Sequence, residues 1–280
     1  MRDQLGVTRM RGAGWRLVQD DAWSAAQLPV ELAWVSTSAA DRSGRVSIFQ
    51  RSSPQVVVRS PDGTLVEAHD ADGVVDPHGI TITGDGRTLL VDRDGQMVVE
   101  LLEGGQTRRL FAGFRFAHPT AVAVSADNGD YFVADGYGEA RVHRFDRNGD
   151  HVASWGRHGT GPGEFNIVHG VALDPRGRVV VIDRENGRLQ LFDVSGTLLE
   201  VWNGYHRPLG LHVDHDRELV FVSEASTRLT ARDLDGRIVA VGRAPDLAHG
   251  LTGDAHGTLY LTLPVLKTVV RLVRVDDGGG

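Results

Sequence analysis

The chain repeats itself, and that constrains its fold more than any other feature. The stretch "GVALDPRGRVVVIDRENGRLQLFDVSGTLLEVW" from Gly170 lays over "AVAVSADNGDYFVADGYGEARVHRFDRNGDHVASW" from Ala121. Both read as an alternating strand, an Asp/Gly turn, a β-rich strand ending in Asp, and a further turn. Arg-x-x-x-Phe-Asp, a Gly turn and a strand ending in Trp follow. Copies start at Gly79 and Gly210, another from Gly250 stops after three strands, and a degenerate one lies upstream between Glu31 and Asp70. A unit of this size cannot bury its apolar face alone, so neighbouring copies must stack. The residues following each unit's leading position are 79, 120, 170, 210 and 250, at steps of 41, 50, 40 and 40.

Four strands per unit of this length mark a propeller blade. The expectation is an all-β, six-bladed β-propeller forming a single domain over 1–280. Its blades are expected at 31–70, 78–112, 119–156, 168–203, 208–243 and 248–275. The last unit lacks a fourth strand, and a spare segment, "GWRLVQDDAW" (14–23), precedes the first. That segment is predicted to be the missing outer strand, closing the ring and leaving no exposed sheet edge. The long step contains "GRHGTGPGEF", predicted to be a loop over one face. Turns such as "DPRGR", "RNGD", "DVSGT" and "DLDGR" put Asp, Asn and Gly where hairpins need them. No segment keeps capped helical periodicity, which argues against an α/β fold.

Composition narrows the function classes. The 35 glycines and 10 prolines are spread along the chain, as many short strands require. A net charge of −7 offers no nucleic-acid or anionic-membrane surface. The start lacks the apolar core of a secretory signal and no window reaches membrane-spanning length, so a cytoplasmic location is expected. With no cysteine there is neither a disulfide framework nor a thiolate ligand or nucleophile.

Histidine recurs at one phase of the repeat. The leading positions of the inner strands read Leu32, His78, Pro119, His169, Leu209 and His249. Histidine thus falls on alternate blades, where three-fold symmetry would converge the imidazoles on a central channel. Three imidazoles with one open position are a catalytic zinc ligand set. The expectation is one Zn²⁺ per chain, or another borderline divalent ion. The glycine after each histidine suits a close approach of neighbouring backbones. The alternative is a metal-free channel with hydrogen-bonded core histidines, since His-Gly also occurs at His158 and His256. His118, His206, His212 and His215 are out of phase and are expected in loop, supporting or surface roles.

The repeat resembles the NHL repeat. The run from "HPTAVAV" through "VADGYGEARVHRF" and "SWGRHGTGPGEFNIVHGVAL" to "IDRENGRLQLF" resembles peptidyl-α-hydroxyglycine α-amidating lyase, with "PHGI" and "AHGL" matching in the flanks. The resemblance implies a six-bladed propeller whose channel zinc is held by His78, His169 and His249. It implies cleavage of a carbinolamide into an amide and glyoxylate, with Tyr137 of "ADGYG" as catalytic tyrosine. Arg184 of "DRENGR" and, through "IFQRSS", Arg51 take the places of the active-site arginines. That chemistry is coherent: zinc acidifies a bound hydroxyl, a tyrosine beside cations serves as base, and arginine binds a carboxylate.

The sequence also departs from the family. Gly250 stands where the family has an acidic residue that helps to hold a structural Ca²⁺, so calcium binding is expected to be weak or absent. Leu247 replaces a methionine, and Gly138 and Val181 stand in for disulfide cysteines. The expected partner is a small-molecule or peptide carbinolamide, made by a separate hydroxylating enzyme. Two other functions stay open: a non-catalytic NHL propeller binding a protein, and a propeller lactonase or other hydrolase.

Overall fold

Strands form where the repeat alternates apolar side chains between Asp/Gly turns. The computed structural model describes residues 9–277; residues 1–8 and 278–280 of the expected 1–280 domain lie outside the described residues. The chain divides into two compact units, residues 1–68 with 209–280, and residues 69–208.

The first unit opens with β1 (Arg9–Gly12), β2 (Trp15–Gln19) and a one-turn helix, α1 (Asp21–Ser24). A four-stranded sheet follows: β3 (Val35–Ala40), β4 (Val46–Gln50), β5 (Val56–Arg59) and β6 (Leu65–His69). The second unit holds three such sheets. The first is β7 (Pro77–Ile82), β8 (Thr88–Asp92), β9 (Met97–Leu101) and β10 (Thr107–Arg109). The next is β11 (Ala121–Val124), β12 (Tyr131–Asp135), β13 (Arg141–Phe145) and β14 (His151–Trp155). The third is β15 (Val168–Leu173), β16 (Val179–Asp183), β17 (Arg188–Phe192) and β18 (Leu198–Asn203). The chain then returns to the first unit with β19 (Pro208–Asp214), β20 (Leu219–Glu224), β21 (Arg228–Asp233) and β22 (Ile238–Arg243). It ends with β23 (Gly250–Gly253), β24 (Leu259–Leu263) and β25 (Thr268–Asp276).

These last strands differ from expectation. Instead of six separate sheets, the described residues form four four-stranded sheets and one of nine strands, ordered β19-β20-β21-β22-β1-β2-β25-β24-β23. The cause is β1, a strand the repeat does not contain. It pairs with β2 on one edge, from Arg9↔Val18 to Gly12↔Trp15, and with β22 on the other, from Arg9↔Arg243 to Arg11↔Val241. Bridging both edges makes the last two repeat units one continuous hydrogen-bonded sheet.

The N-terminal segment lies on β25, pairing from Trp15↔Asp276 to Gln19↔Leu272. It is shorter than the expected 14–23 strand. Asp20 ends it: its carboxylate accepts from Trp23 N at 3.0 Å, capping α1 and turning Trp23 inward. The buried Trp23 ring packs 5.5 Å from Tyr260, with the Arg59 guanidinium 3.7 Å from its centre.

Within each unit the core lies between adjacent sheets, so the second strand of a sheet is buried on both faces. Val179–Asp183 is buried throughout, and Phe132, Val142, Phe165, Val168, Val181 and Phe192 form one cluster with Val179. Tight turns work as the sequence suggests: Asp193 accepts from the amides of Ser195 (2.8 Å) and Thr197 (2.9 Å). Hydrogen bonds from Ser195 Oγ and these amides hold its carboxyl down at about 2. The Gly-rich insertion is an irregular loop stitched to β17: Arg188 Nη2 donates to the Gly161 (2.7 Å) and Glu164 (2.9 Å) carbonyls. Among the described residues no helix is long and apolar enough to cross a membrane.

His212, expected in a loop, supporting or surface role, is a strand residue. It sits on β19, stacked 6.4 Å from Phe221, and its Nε2 is buried without a hydrogen-bond partner among the described residues. Burial pushes the imidazole down to about 4, assisted by His215 and opposed by Asp214 and Asp254. Because that value lies below the roughly 6.5 of an unfolded histidine, the unfolded chain takes up the proton first. This contribution to stability is complete above about pH 6.5 and falls away as pH drops toward 4. Thermal melts from pH 4 to 7 should show a shallower pH slope for His212→Leu than for the unaltered protein. Equal slopes would contradict this account.

Candidate metal centre and active site

The three inner strands of the second unit, β7, β11 and β15, enter their sheets through loops held by a buried carboxylate at the end of the second strand. Asp92 accepts from Val75 N (2.7 Å) and Asp76 N (2.8 Å), Asp135 from Ala117 N (2.6 Å) and His118 N (2.7 Å), and Asp183 from Asn166 N (2.7 Å). In this unit the strand-ending aspartate of the repeat thus sets the approach to the leading residue.

That residue is a β-bulge. Pro77 pairs with Asp92 and Gly79 with Val91, leaving His78 as the extra residue; Val168↔Asp183 and Gly170↔Ile182 leave His169. A bulge re-aims the side chain it carries. The same register corrects two expected positions. In β3 the extra residue between Val35↔Gln50 and Thr37↔Phe49 is Ser36, not Leu32. In β11, Ala121 pairs with Ala134, so the residue equivalent to His78 is Thr120, not Pro119.

These non-histidine positions have a use of their own. The Thr120 carbonyl accepts from His78 Nδ1 at 2.9 Å, and the Ser36 carbonyl from His249 Nδ1 at 2.7 Å. A protonated Nδ1 leaves the Nε2 lone pair for a ligand role, the usual support of a metal-bound imidazole. Glycine after the histidine permits this contact, since a Cβ on Gly79 would stand 2.6 Å from the Thr120 oxygen. At Gly250 a Cβ would meet Thr262 Oγ1 at 2.5 Å and Thr37 Cα at 2.8 Å, so an acidic side chain has no room there.

The second unit gathers four of the expected residues. The His78 and His169 rings lie 5.2 Å apart, and the Tyr137 ring is 5.6 Å from the first and 6.0 Å from the second. Tyr137 stands on the β12–β13 turn, where its amide donates to the His118 carbonyl at 3.3 Å. Arg184, on the β16–β17 turn, donates from Nη1 to the Tyr137 oxygen at 2.7 Å and from Nε to Glu185 at 2.8 Å.

A residue that sequence reasoning missed completes this group. Arg93 lies 5.3 Å from the Tyr137 ring centre, while its Nε pairs with Asp76 at 2.8 Å. The signal was available, because Arg93 follows Asp92 as Arg184 follows Asp183. In the first unit, His249 N donates to the Thr262 carbonyl at 3.0 Å. Arg51, also in that unit, lies on the β4–β5 turn with its guanidinium 5.9 Å from the Trp34 ring.

Residues 165–192 match the NHL repeat. This NHL segment contains His169, the buried Asp183 and Arg184. Peptidyl-glycine alpha-amidating monooxygenase A of Xenopus laevis is 38% identical over 130 residues, covering 41% of this chain and 14% of that protein. Peptidyl-alpha-hydroxyglycine alpha-amidating lyase 1 of Drosophila melanogaster is 28% identical over 275 residues, covering 72% of this chain and 50% of that protein. The chain therefore matches half or less of the length of either relative. Among solved structures, a gluconolactonase of Xanthomonas campestris superposes with a TM-score of 0.73 at 17% identity, covering 96% of this chain and 95% of that one. At that identity the likeness shows the fold alone: the NHL-bearing chain is an all-β propeller.

Proposed function

We propose that the protein is a zinc-dependent lyase on a six-bladed propeller. Its substrate would be an α-hydroxyglycine-type carbinolamide, split at the C–N bond into an amide and glyoxylate or a related aldehyde. The observation that carries this reading is the 2.7 Å bond from Arg184 to the Tyr137 oxygen, set against the His78 and His169 imidazoles. The name of the Drosophila melanogaster relative, an alpha-amidating lyase, supports it.

His78, His169 and His249 would hold the ion. Their shared phase in the repeat supports this, as do the Nδ1–carbonyl bonds of His78 and His249. When bound, zinc supplies Lewis acidity that makes a substrate alcohol more acidic. Tyr137, as the phenolate, would accept the substrate hydroxyl proton as the C–N bond breaks and pass it to the departing nitrogen. The oxygen electrons form the aldehyde carbonyl, and the departing nitrogen keeps the bond pair and takes up a proton. Arg184 orients the Tyr137 oxygen, and Arg184 and Arg51 are the groups proposed to bind the substrate carboxylate. Calcium has no part in this reading, since no acidic side chain fits at position 250.

The test is glyoxylate release from N-acyl-α-hydroxyglycines, corrected for spontaneous breakdown, with elemental analysis of the same dialysed protein. The expected result is one tightly bound zinc equivalent that depends on His78, His169 and His249 and is lost in the His78→Ala, His169→Ala, His249→Ala triple variant, counted apart from any ion held elsewhere. A zinc-replete protein with no rate above background, across several acyl groups, would favour a binding module. Full zinc retention by the triple variant would remove the tripod.

A further inference from the structure

A second group of metal-ligand type lies in the β11–β14 sheet, apart from the histidines of the repeat phase. Asp135, Glu139 and His143 bring one ligand atom each to within 4.8 Å of one another. Asp135 ends β12, Glu139 stands on the β12–β13 turn, and His143 is on β13 opposite Val133. His143 is 3% exposed, and its Nε2 is buried without a hydrogen-bond partner among the described residues. That nitrogen stands 3.6 Å from Asp135 Oδ2, beyond hydrogen-bonding range. Its other nitrogen, Nδ1, meets Ser154 Oγ at 2.7 Å, and the same hydroxyl meets His151 Nε2 at 2.7 Å. A relay from His143 Nδ1 through Ser154 to His151 would leave the His143 Nε2 lone pair facing a carboxylate oxygen.

The neighbouring sheet shows what normally fills such a position. There Asp183 is the counterpart of Asp135; Arg188 Nε donates to it at 2.6 Å and Gln190 Nε2 at 3.1 Å. Gln190 pairs with Val181 as His143 pairs with Val133, so the two occupy the same place. Arg141, the counterpart of Arg188, instead stands 3.8 Å from Glu139 with its side chain 44% exposed. Among the described residues no guanidinium reaches Asp135. A fully buried carboxylate needs a compensating charge, and Asp135 has only two backbone amides and the edge of an imidazole.

We infer that Asp135, Glu139 and His143 bind a divalent first-row metal ion, in the place that a guanidinium holds in the next sheet. One imidazole and two carboxylates are a donor set for zinc, cobalt or manganese. Bonds of about 2.0–2.2 Å to N and O span a ligand separation like the 3.6 Å observed. A carboxylate oxygen that accepts one amide proton keeps a second lone pair for the ion. The turn from Asp135 to Arg141 carries Tyr137, so this ion would clamp the loop that positions the tyrosine. The inference does not depend on the proposed lyase reaction.

Titration calorimetry of Zn²⁺ into metal-stripped protein tests it. The unaltered chain should bind one more equivalent than either Glu139→Gln or His143→Gln. The Gln at 143 copies Gln190, and Glu139 is an exposed turn residue, so both variants are expected to fold. Removing either ligand should weaken this equivalent by at least the roughly 10–100-fold that loss of an outer-shell partner costs. The equivalent should persist in the His78→Ala, His169→Ala double variant, which separates it from the proposed catalytic ion. Equal zinc uptake by the unaltered chain and both folded variants would overturn the inference, leaving a protonated His143 as the partner of Asp135.

Discussion

Tyr137→Phe is expected to lower glyoxylate release by about 10²–10⁴-fold, the range typical of a positioned acid–base group, while zinc content stays unchanged. The substitution deletes one oxygen and leaves the ring. Packing against His78 (5.6 Å), His169 (6.0 Å) and the Arg93 and Arg184 guanidinia (5.3 and 5.1 Å) is retained. What is lost is the acceptor of Arg184 Nη1 and the site of proton transfer. A fall in kcat with intact metal and an unchanged melting temperature therefore identifies a chemical role. Arg184→Ala should raise KM more for carboxylate-bearing than for neutral substrates. A Tyr137→Phe protein within a few-fold of full activity would dismiss the tyrosine as base and leave it a ring between two arginines.

Deleting residues 1–24 is expected to abolish the soluble folded state. The deletion removes the buried Met10, Trp15, Leu17 and Trp23. Truncating a core Leu or Met costs about 2–5 kcal/mol and a Trp about 3–5 kcal/mol. Together these losses reach or exceed the roughly 5–15 kcal/mol by which a domain is stable. Two further effects act in the same direction. Strands β22 and β25 each lose a hydrogen-bonded neighbour and become open edges. Arg59 loses both the Trp23 carbonyl, which accepts from its Nη2 at 2.7 Å, and the ring stacked on it. Burial already depresses that guanidinium to about 10, and the deletion leaves it the Gly63 carbonyl, which accepts from its Nε at 3.0 Å. A truncated protein with an unchanged melting temperature and solubility would show that these strands are dispensable.

Much of the fold was legible because the repeat is local chemistry. Period-two apolar patterning, Asp/Gly turns and a strand-ending aspartate each act within a few residues, and six copies reinforce one another. Strands β15–β18 run from Val168 to Asn203 and β19–β22 from Pro208 to Arg243, each set within one repeat unit of the sequence. The phase of His78 and His169 was legible for the same reason, although the bulge that aims them was not. A bulge is one residue of mismatch between paired strands, visible only once the pairing partner is known. Counting along single strands therefore led to Leu32 and Pro119, where register selects Ser36 and Thr120.

The sequence by itself determined the strand periodicity, the turns and the recurring histidine phase, since each depends on side chains a few positions apart. Tertiary structure alone decided how β1 fuses two repeat units into one sheet, because either edge of a short strand can pair. It also decided that Arg93 joins Arg184 at one tyrosine and that Thr120 and Ser36 lend their carbonyls to histidines. The same holds for Asp135 meeting His143 without the arginine that serves Asp183. These contacts join residues from different strands and turns. Their energies depend on distance and burial, which a linear chain does not encode position by position.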